Sequence, residues 1–148
     1  MMLSSRGEPA LRVVLILIGV ITTLPAVALV NIGILDWNYG VSDPAPMTQA
    51  LLQHRGMLQF LLGAAIVWSA FHPPARLAAA LAAVAGKTTF LALILPNAEI
   101  RGDLTPLSIW FDLTCIVVLG VLAARLIRSG ARLADRSPAT GIPCRPAR

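Results

Sequence analysis

Charged residues interrupt the long apolar runs of this sequence, and that pattern constrains the fold more than any other feature. The stretch Gly56–Phe71 holds sixteen residues without a charge, whereas an α-helix needs about 20 apolar residues to cross a bilayer. A helix that begins near Met47 is long enough, but it then carries His54 and Arg55 inside its apolar part. Two further charged residues lie within apolar runs in the same way, namely Lys87 and Asp112. We therefore predict membrane-spanning helices with charges buried between them.

Composition supports a membrane protein. Hydrophobic residues make up 57% of the chain and charged residues only 13%, whereas soluble domains carry about 25% charged residues. The net charge of +5 could indicate a nucleic-acid partner. The basic residues are concentrated near the chain ends beside apolar runs, and no aromatic-plus-basic motif accompanies them, so we predict no nucleic-acid binding. Flanking charge of this kind is typical of membrane topology and of contacts with anionic lipid headgroups.

The fold class predicted from these runs is all-α, a four-transmembrane-helix bundle with both termini cytoplasmic. The helices are expected at about residues 12–35, 47–72, 77–95 and 105–127. Residues 1–127 then form one transmembrane domain, and residues 128–148 form a basic, disordered cytoplasmic tail. The small residues at positions 25–28 also fit the cleavage site of a signal peptide, so a cleaved signal peptide is an alternative interpretation. The uncharged run Val13–Leu35 has 23 residues, which is longer than an ordinary signal-peptide core and favours a retained span. Pro25 is expected to kink helix 1, with Thr22 and Thr23 bonding the freed backbone groups.

Topology follows from the distribution of arginine. Nine arginines fall at the N-terminus, in the turn near residue 76, or at the end of helix 4 and beyond, and they are Arg6, Arg12, Arg76, Arg125, Arg128, Arg132, Arg136, Arg145 and Arg148. The two remaining loops hold only Arg101. Positive residues remain preferentially on the cytoplasmic side, so both termini are expected there.

The ionisable residues within the helices are predicted at similar depth. Arg55 lies eight residues after the predicted start of helix 2, Lys87 eight residues before the end of helix 3, and Asp112 seven residues after the start of helix 4. At 1.5 Å per residue, all three lie about 10–12 Å below the outer surface. Gln59, four residues from Arg55, shares its helix face, while His54 points to a different side. We call these five residues the polar cluster: His54, Arg55, Gln59, Lys87 and Asp112.

Three interpretations of the polar cluster are open. In the first it is structural: Asp112 pairs with Arg55 and locks helices 2 and 4 together, while Lys87 extends to the outer interface. In the second it is a pocket, open to the outside, for an anionic or carbonyl-bearing group of a lipid headgroup, a quinone or a small organic anion. In the third, helix 2 begins only at Gly56, and the preceding His54 and Arg55 anchor it at the interface.

Catalytic and metal chemistry has little support in the sequence. The cysteines, Cys115 and Cys144, are 29 residues apart and form no CxxC motif, so we predict neither a redox dithiol nor a zinc site. His54 and His72 lie at opposite ends of the apolar part of helix 2 and cannot share a metal. No nucleophile is evident, so we expect no catalytic residue, no metal and no cofactor, with a bound quinone as the one open alternative.

Residues 54–76, HRGMLQFLLGAAIVWSAFHPPAR, continue into an apolar third helix with Lys87. This stretch resembles the DoxX-like group of small bacterial four-helix membrane proteins, which carry a basic residue at the start of the second helix, glycines after it and an Arg-bearing turn. The resemblance covers roughly half of the chain. It implies a four-helix fold in a bacterial inner membrane. It also implies an accessory role, since some relatives are associated with quinone-linked sulfur oxidation or oxidative-stress complexes.

Three functions are then open. The first is a non-enzymatic inner (plasma) membrane protein, either an accessory subunit or a binder of lipid, quinone or a small anion. The second is a small dimeric transporter coupled through Lys87 and Asp112. The third is a membrane enzyme with His54 as base and Asp112 orienting it, for which no nucleophile is evident. The expected partners are membrane lipids and either a second copy of the chain or a larger membrane complex.

Overall fold

The computed structural model describes residues 7–31, 33, 35–36, 43–98 and 106–135. The described chain is all-helical, and four of its helices are long and apolar enough to cross a membrane. They contain α1 (Gly7–Thr23), whose span continues as a 3-10 helix to Leu29, and α2 (Pro46–Phe71), α3 (Arg76–Ile94) and α4 (Pro106–Asp135). The prediction of four such helices is therefore confirmed, with α2 and α3 each within one residue of their expected limits.

Helix α1 is shorter than predicted and is followed by a different kind of helix. It begins at Gly7 and ends at Thr23, and the chain then continues as a 3-10 helix over Leu24–Leu29. Pro25 explains the change, because proline has no N–H to donate to the α-helical ladder. The hydroxyl of Thr23 donates to the carbonyl of Val20 at 2.7 Å. The prediction that Thr22 also bonds a backbone group is wrong, because its buried hydroxyl has no partner among the described residues.

Helix α4 extends beyond its predicted end. It continues to Asp135 rather than stopping at residue 127, so the first eight residues of the predicted tail are helical. The added segment is rich in alanine, arginine and leucine, which favour helix, and the first proline comes only at Pro138. The rest of the predicted tail, residues 136–148, lies outside the described part of the chain.

The helices pack as two antiparallel hairpins, α1 with α2 and α3 with α4, and α2 also packs against α3. Residues 72–76 join α2 to α3, and we call this end of the bundle the turn end. Helix α1 begins at the turn end, because its Glu8 bonds Arg76 there. Helix α4 also ends there, since Ser129 lines the same cavity as Gly7. The opposite end holds the end of α3 and the start of α4.

Close backbone approach joins α1 to α2. A methyl group at Gly63 would lie 2.5 Å from the carbonyl oxygen of Gly19, and one at Gly56 would lie 2.8 Å from the carbonyl oxygen of Pro25. Real Cβ atoms essentially never come so near to another backbone, so only glycine permits this spacing. Small residues at helix interfaces are the usual means by which membrane helices come close, because packing replaces the hydrophobic effect there.

Small residues also form the inner face of α3. Ala79, Ala80 and Ala83 are buried, whereas Ala82 and Gly86 are exposed. Ala79 and Ala83, four residues apart, therefore form a pair of small residues that faces inward. The core contains residues from all four helices, including Leu15, Ile18, Ile66, Ala70, Ala80, Ala83, Cys115 and Leu119.

The outer faces of the bundle are apolar. Large hydrophobic side chains are exposed on every helix, for example Val13, Leu17, Leu58, Leu61, Leu81, Leu93, Val117 and Val121. In water such a surface would promote association, since soluble monomers rarely expose large contiguous apolar patches. An apolar exterior around a small, tightly packed interior is what a lipid environment requires.

The glycine contact between α1 and α2 yields a stability prediction. Gly63→Ala forces the two backbones apart, and overpacking of this kind costs about 1–3 kcal/mol. Gly86→Ala is the matched control, because no atom lies within 4 Å of the added methyl and alanine favours helix by about 0.5–1 kcal/mol. Thermal unfolding of detergent-solubilised protein should give a lower midpoint for Gly63→Ala only. Equal midpoints for the two variants would contradict the close approach.

Candidate functional site

A buried ion pair joins α3 to α4. The Nζ of Lys87 donates to Oδ1 of Asp112, and the lysine is only 3% exposed. The ring of Phe111 lies 4.8 Å from the same ammonium group, measured to its centroid, and adds a cation–π contact. Charges buried among apolar helices persist only when they are paired, because the desolvation penalty is large.

Arg55 of α2 contacts an aromatic ring of α3. Its guanidinium carbon lies 3.6 Å from the centroid of Phe90, and the residue is half-buried. Phe90 lies three residues beyond Lys87 toward the opposite end, so Arg55 is about one turn from the ion pair. His54 is exposed and does not join the pair.

Two buried oxygens in the described part of the structure have no hydrogen-bond partner. They are Oγ1 of Thr22 on α1 and Oε1 of Gln59 on α2. Most buried polar atoms in proteins are hydrogen-bonded, so each exception requires an explanation. A bound molecule that supplies the missing partner is one such explanation.

The helix register brings these oxygens to about the depth of the ion pair. Gly63, one turn from Gln59, contacts both Gly19 and Thr23 of α1, and these two residues flank Thr22. On its other side, Gln59 is one turn from Arg55, which lies on Phe90. We call the resulting set the polar layer: Thr22, Gln59, Lys87 and Asp112.

The structure therefore divides the predicted polar cluster. It brings Lys87 and Asp112 together, but the predicted pairing of Asp112 with Arg55 is wrong, and Lys87 is buried instead of reaching the interface. The physical reason is register, since α3 and α4 are hairpin neighbours whereas Arg55 faces Phe90. The interpretation in which helix 2 begins at Gly56 is also wrong, because α2 begins at Pro46.

The sequence indicates Arg76 only as a topology signal, yet its side chain makes four hydrogen bonds. Its guanidinium bonds both carboxylate oxygens of Glu8, at 3.1 and 2.6 Å. It also donates to the carbonyls of Ser69 and Ala70, at 3.1 and 3.0 Å. These carbonyls belong to the last turn of α2 and have no intrahelical partner. Arg76 thus caps α2 and ties it to the start of α1.

Metal and thiol chemistry find little basis in this part of the chain. Within the described ranges, no three His, Cys, Asp or Glu side chains come together as a metal site. Cys115 is a buried free thiol of α4, one turn from Asp112. Cys144 lies outside the described residues, so its environment stays untested.

Comparison with known proteins adds no family. No family model, curated protein or solved structure matched the chain. The resemblance of residues 54–76 to the DoxX-like group accordingly stays a prediction.

The buried ion pair yields a second stability prediction. Lys87→Met leaves the carboxylate of Asp112 buried and unpaired, which costs about 3–5 kcal/mol. The double variant Lys87→Met/Asp112→Leu removes both charges and should recover most of that loss. The stabilities of the single and double variants are measured by thermal unfolding in detergent. A double variant as unstable as the sum of Lys87→Met and Asp112→Leu would show that the two groups are not coupled.

The hydrogen bonds of Arg76 yield a third stability prediction. Arg76→Gln removes the charge from a residue that is 4% exposed, and we expect a loss of about 2–3 kcal/mol because charged hydrogen bonds are broken. Arg12→Gln is the control, since Arg12 also bonds Glu8, at 3.2 Å, but on the surface, where a pair contributes about 0–1 kcal/mol. Comparable unfolding midpoints for the two variants would refute the capping role.

Proposed function

We propose that this chain is an integral membrane protein that binds the polar head of a membrane-soluble small molecule at the polar layer, and that it is not itself an enzyme. The four long apolar helices and the apolar exterior support membrane insertion. The absence of an evident nucleophile in the sequence argues against catalysis. An unsatisfied polar interior within an apolar bundle favours ligand binding.

Orientation is part of this proposal. The turn end carries Arg12, Arg76 and the arginines of the last turns of α4. Positive residues are retained on the cytoplasmic side of membranes, so the turn end and both termini are cytoplasmic. The polar layer then lies toward the extracytoplasmic leaflet, because Lys87 is seven residues from the last residue of α3, Ile94, or about 10 Å.

The observation that carries the proposal is the pair of partnerless oxygens at about the depth of a buried ion pair. Oε1 of Gln59 can only accept a hydrogen bond, whereas the hydroxyl of Thr22 can donate or accept. A ligand hydroxyl satisfies either group, because it can donate to Oε1 of Gln59 and can accept from the hydroxyl of Thr22, whereas a ligand carbonyl can only accept, from Thr22. Quinols and the glycerol region of lipids offer hydroxyls, and a quinone offers carbonyls that satisfy Thr22 alone. Lys87 and Asp112 form a neutral pair as a whole, so the layer holds polar groups without a large net charge of its own.

Arg55 marks the approach to the layer. It is half-buried and lies on Phe90, one turn beyond Lys87 toward the opposite end. A headgroup entering from that end would pass Arg55 before it reached Gln59. The predicted role of Arg55 in ligand binding is thus retained as an entry contact, while the exposed His54 is peripheral.

Gln59→Leu tests this function. Ubiquinone-1, its reduced quinol and co-purified lipid would be followed by native mass spectrometry of the detergent-solubilised protein. We expect the wild type to retain one such molecule. We expect Gln59→Leu to bind it about tenfold more weakly or worse, and a tenfold loss of affinity corresponds to roughly 1.4 kcal/mol. Gln53→Leu is the matched control on α2, because the amide of Gln53 already bonds the carbonyl of Ala28 at 3.3 Å.

The stability of Gln59→Leu, measured on the same samples, distinguishes a ligand-binding role of Gln59 from a purely structural role. If Gln59 were only an unsatisfied packing residue, leucine would raise stability and leave retention of the small molecule unchanged. That result would contradict the proposal. Proton-dependent uptake into proteoliposomes that is lost in Lys87→Met/Asp112→Leu would also overturn it, in favour of the transporter predicted from the same pair.

A further inference from the structure

A groove between α1 and α4 lies near the turn end, away from the polar layer. Its volume is about 460 Å³, within the range of about 300–1,000 Å³ that is usual for ligand sites. Its walls are almost entirely aliphatic. The lining residues of α1 include Leu11, Val14 and Leu15, and those of α4 include Val118, Val121, Leu122 and Leu126.

The groove exists because the bundle does not close on this side. Helix α1 packs mainly on α2, and α4 packs mainly on α3, so α1 and α4 diverge. Val14 and Val121 are more than a third exposed on its walls. The concave surface is apolar and partly open. In a bilayer, a surface of this kind between two helices is filled by a hydrocarbon chain.

The cationic end of the groove indicates what the hydrocarbon is attached to. Arg125 lines the groove beside Ser129 and is exposed. Arg132 is exposed as well, and at seven residues from Arg125 it lies on the same face of α4. A strip of aliphatic wall that ends at Arg125, with Arg132 two turns beyond it, complements an anionic head on an apolar tail.

The dimensions fit one leaflet. Along α4 the lining runs from Val117 to Ser129, which is about 18 Å at the α-helical rise. Along α1 it runs from Gly7 to Leu15, or about 12 Å. Half of the hydrocarbon core of a bilayer is about 15 Å thick. A chain in the groove therefore reaches from the headgroup level to about the bilayer midplane.

We propose that the groove between α1 and α4 is a specific site for one anionic phospholipid, with an acyl chain between the helices and the phosphate at Arg125. Arg132 adds a second positive charge on the same face of α4, whereas the hydroxyl of Ser129 already donates to the carbonyl of Arg125 at 2.8 Å. This site lies in the leaflet opposite the polar layer. It rests on the proposed membrane insertion, but not on the proposed binding of a ligand at the polar layer.

The headgroup contact is tested with Arg125→Gln. The protein would be delipidated in detergent and titrated with phosphatidylglycerol and, separately, with phosphatidylcholine, with bound lipid counted by native mass spectrometry. We expect phosphatidylglycerol to bind the wild type at least about tenfold more tightly than phosphatidylcholine, and Arg125→Gln to lose that preference, because charged hydrogen bonds to phosphate are lost. Arg128→Gln removes one charge from the same helix, at a position that does not line the groove, and should retain it.

The acyl-chain contact is tested independently with Val14→Trp, which fills the groove from an exposed wall position. Val20→Trp is the control, because Val20 is also exposed on α1 but does not line the groove. We expect only Val14→Trp to reduce phosphatidylglycerol binding. Equal losses in Arg125→Gln and Arg128→Gln would indicate general surface attraction and overturn the proposal. Equal binding of the two lipids, or unchanged binding in Val14→Trp, would overturn it as well.

Discussion

The requirement that a charge inside an apolar bundle must find a partner governs this structure. Two buried cations of α3 meet it in different ways. Lys87 pairs with Asp112 of α4, whereas Arg76 bonds Glu8 of α1 and two carbonyls of α2. Through these two side chains α3 is tied to each of the other three helices. Because the cost of an unpaired buried charge is several kcal/mol, any packing that separates these groups is disfavoured.

The two hairpins are stabilised in different ways, one mainly by close packing and the other also by charge. The α1–α2 hairpin depends on glycine, since Gly19 and Gly63 let the backbones come closer than any side chain would permit. The α3–α4 hairpin depends on alanines at its inner face and on the Lys87–Asp112 pair. Between membrane helices the hydrophobic effect contributes little, so close packing and polar contacts must specify the arrangement. The divergence of α1 from α4 leaves the groove on one side of the bundle.

The molecule offers different chemistry toward its two ends. Nearer the opposite end, the polar layer contains a neutral ion pair and two oxygens without partners. Near the turn end, the groove has aliphatic walls and is lined by Arg125 at the end nearest the turn. One arrangement suits a small polar head that reaches the interior, and the other suits a lipid whose charge stays at the interface. In both proposals the ligand comes from the bilayer itself, which agrees with a chain that is mostly apolar on its outside.

The sequence by itself determined that four helices are long and apolar enough to cross a membrane, and it gave the limits of α2 and α3 to within one residue, whereas α1 ends earlier than predicted, at Thr23. Long apolar runs bounded by Pro46, by Pro73–Pro74 and by Pro106 leave little freedom in where helices begin and end. It also placed Lys87 and Asp112 well inside such runs, but it left open whether Lys87 is buried or extends to the outer interface. Helix ends without a proline were less predictable, as the extension of α4 to Asp135 shows.

Only the tertiary structure decided which charge meets which. Composition and depth permitted Asp112 to pair with Arg55 as readily as with Lys87, and the choice follows from the rotation of each helix about its axis. The same is true of Arg76, whose partner Glu8 is 68 residues away, and of Thr22 and Gln59, whose partnerless oxygens depend on the packing around them. Pattern along a helix gives spacing and faces, whereas pairing between helices depends on register and close approach, and those are properties of the assembled bundle.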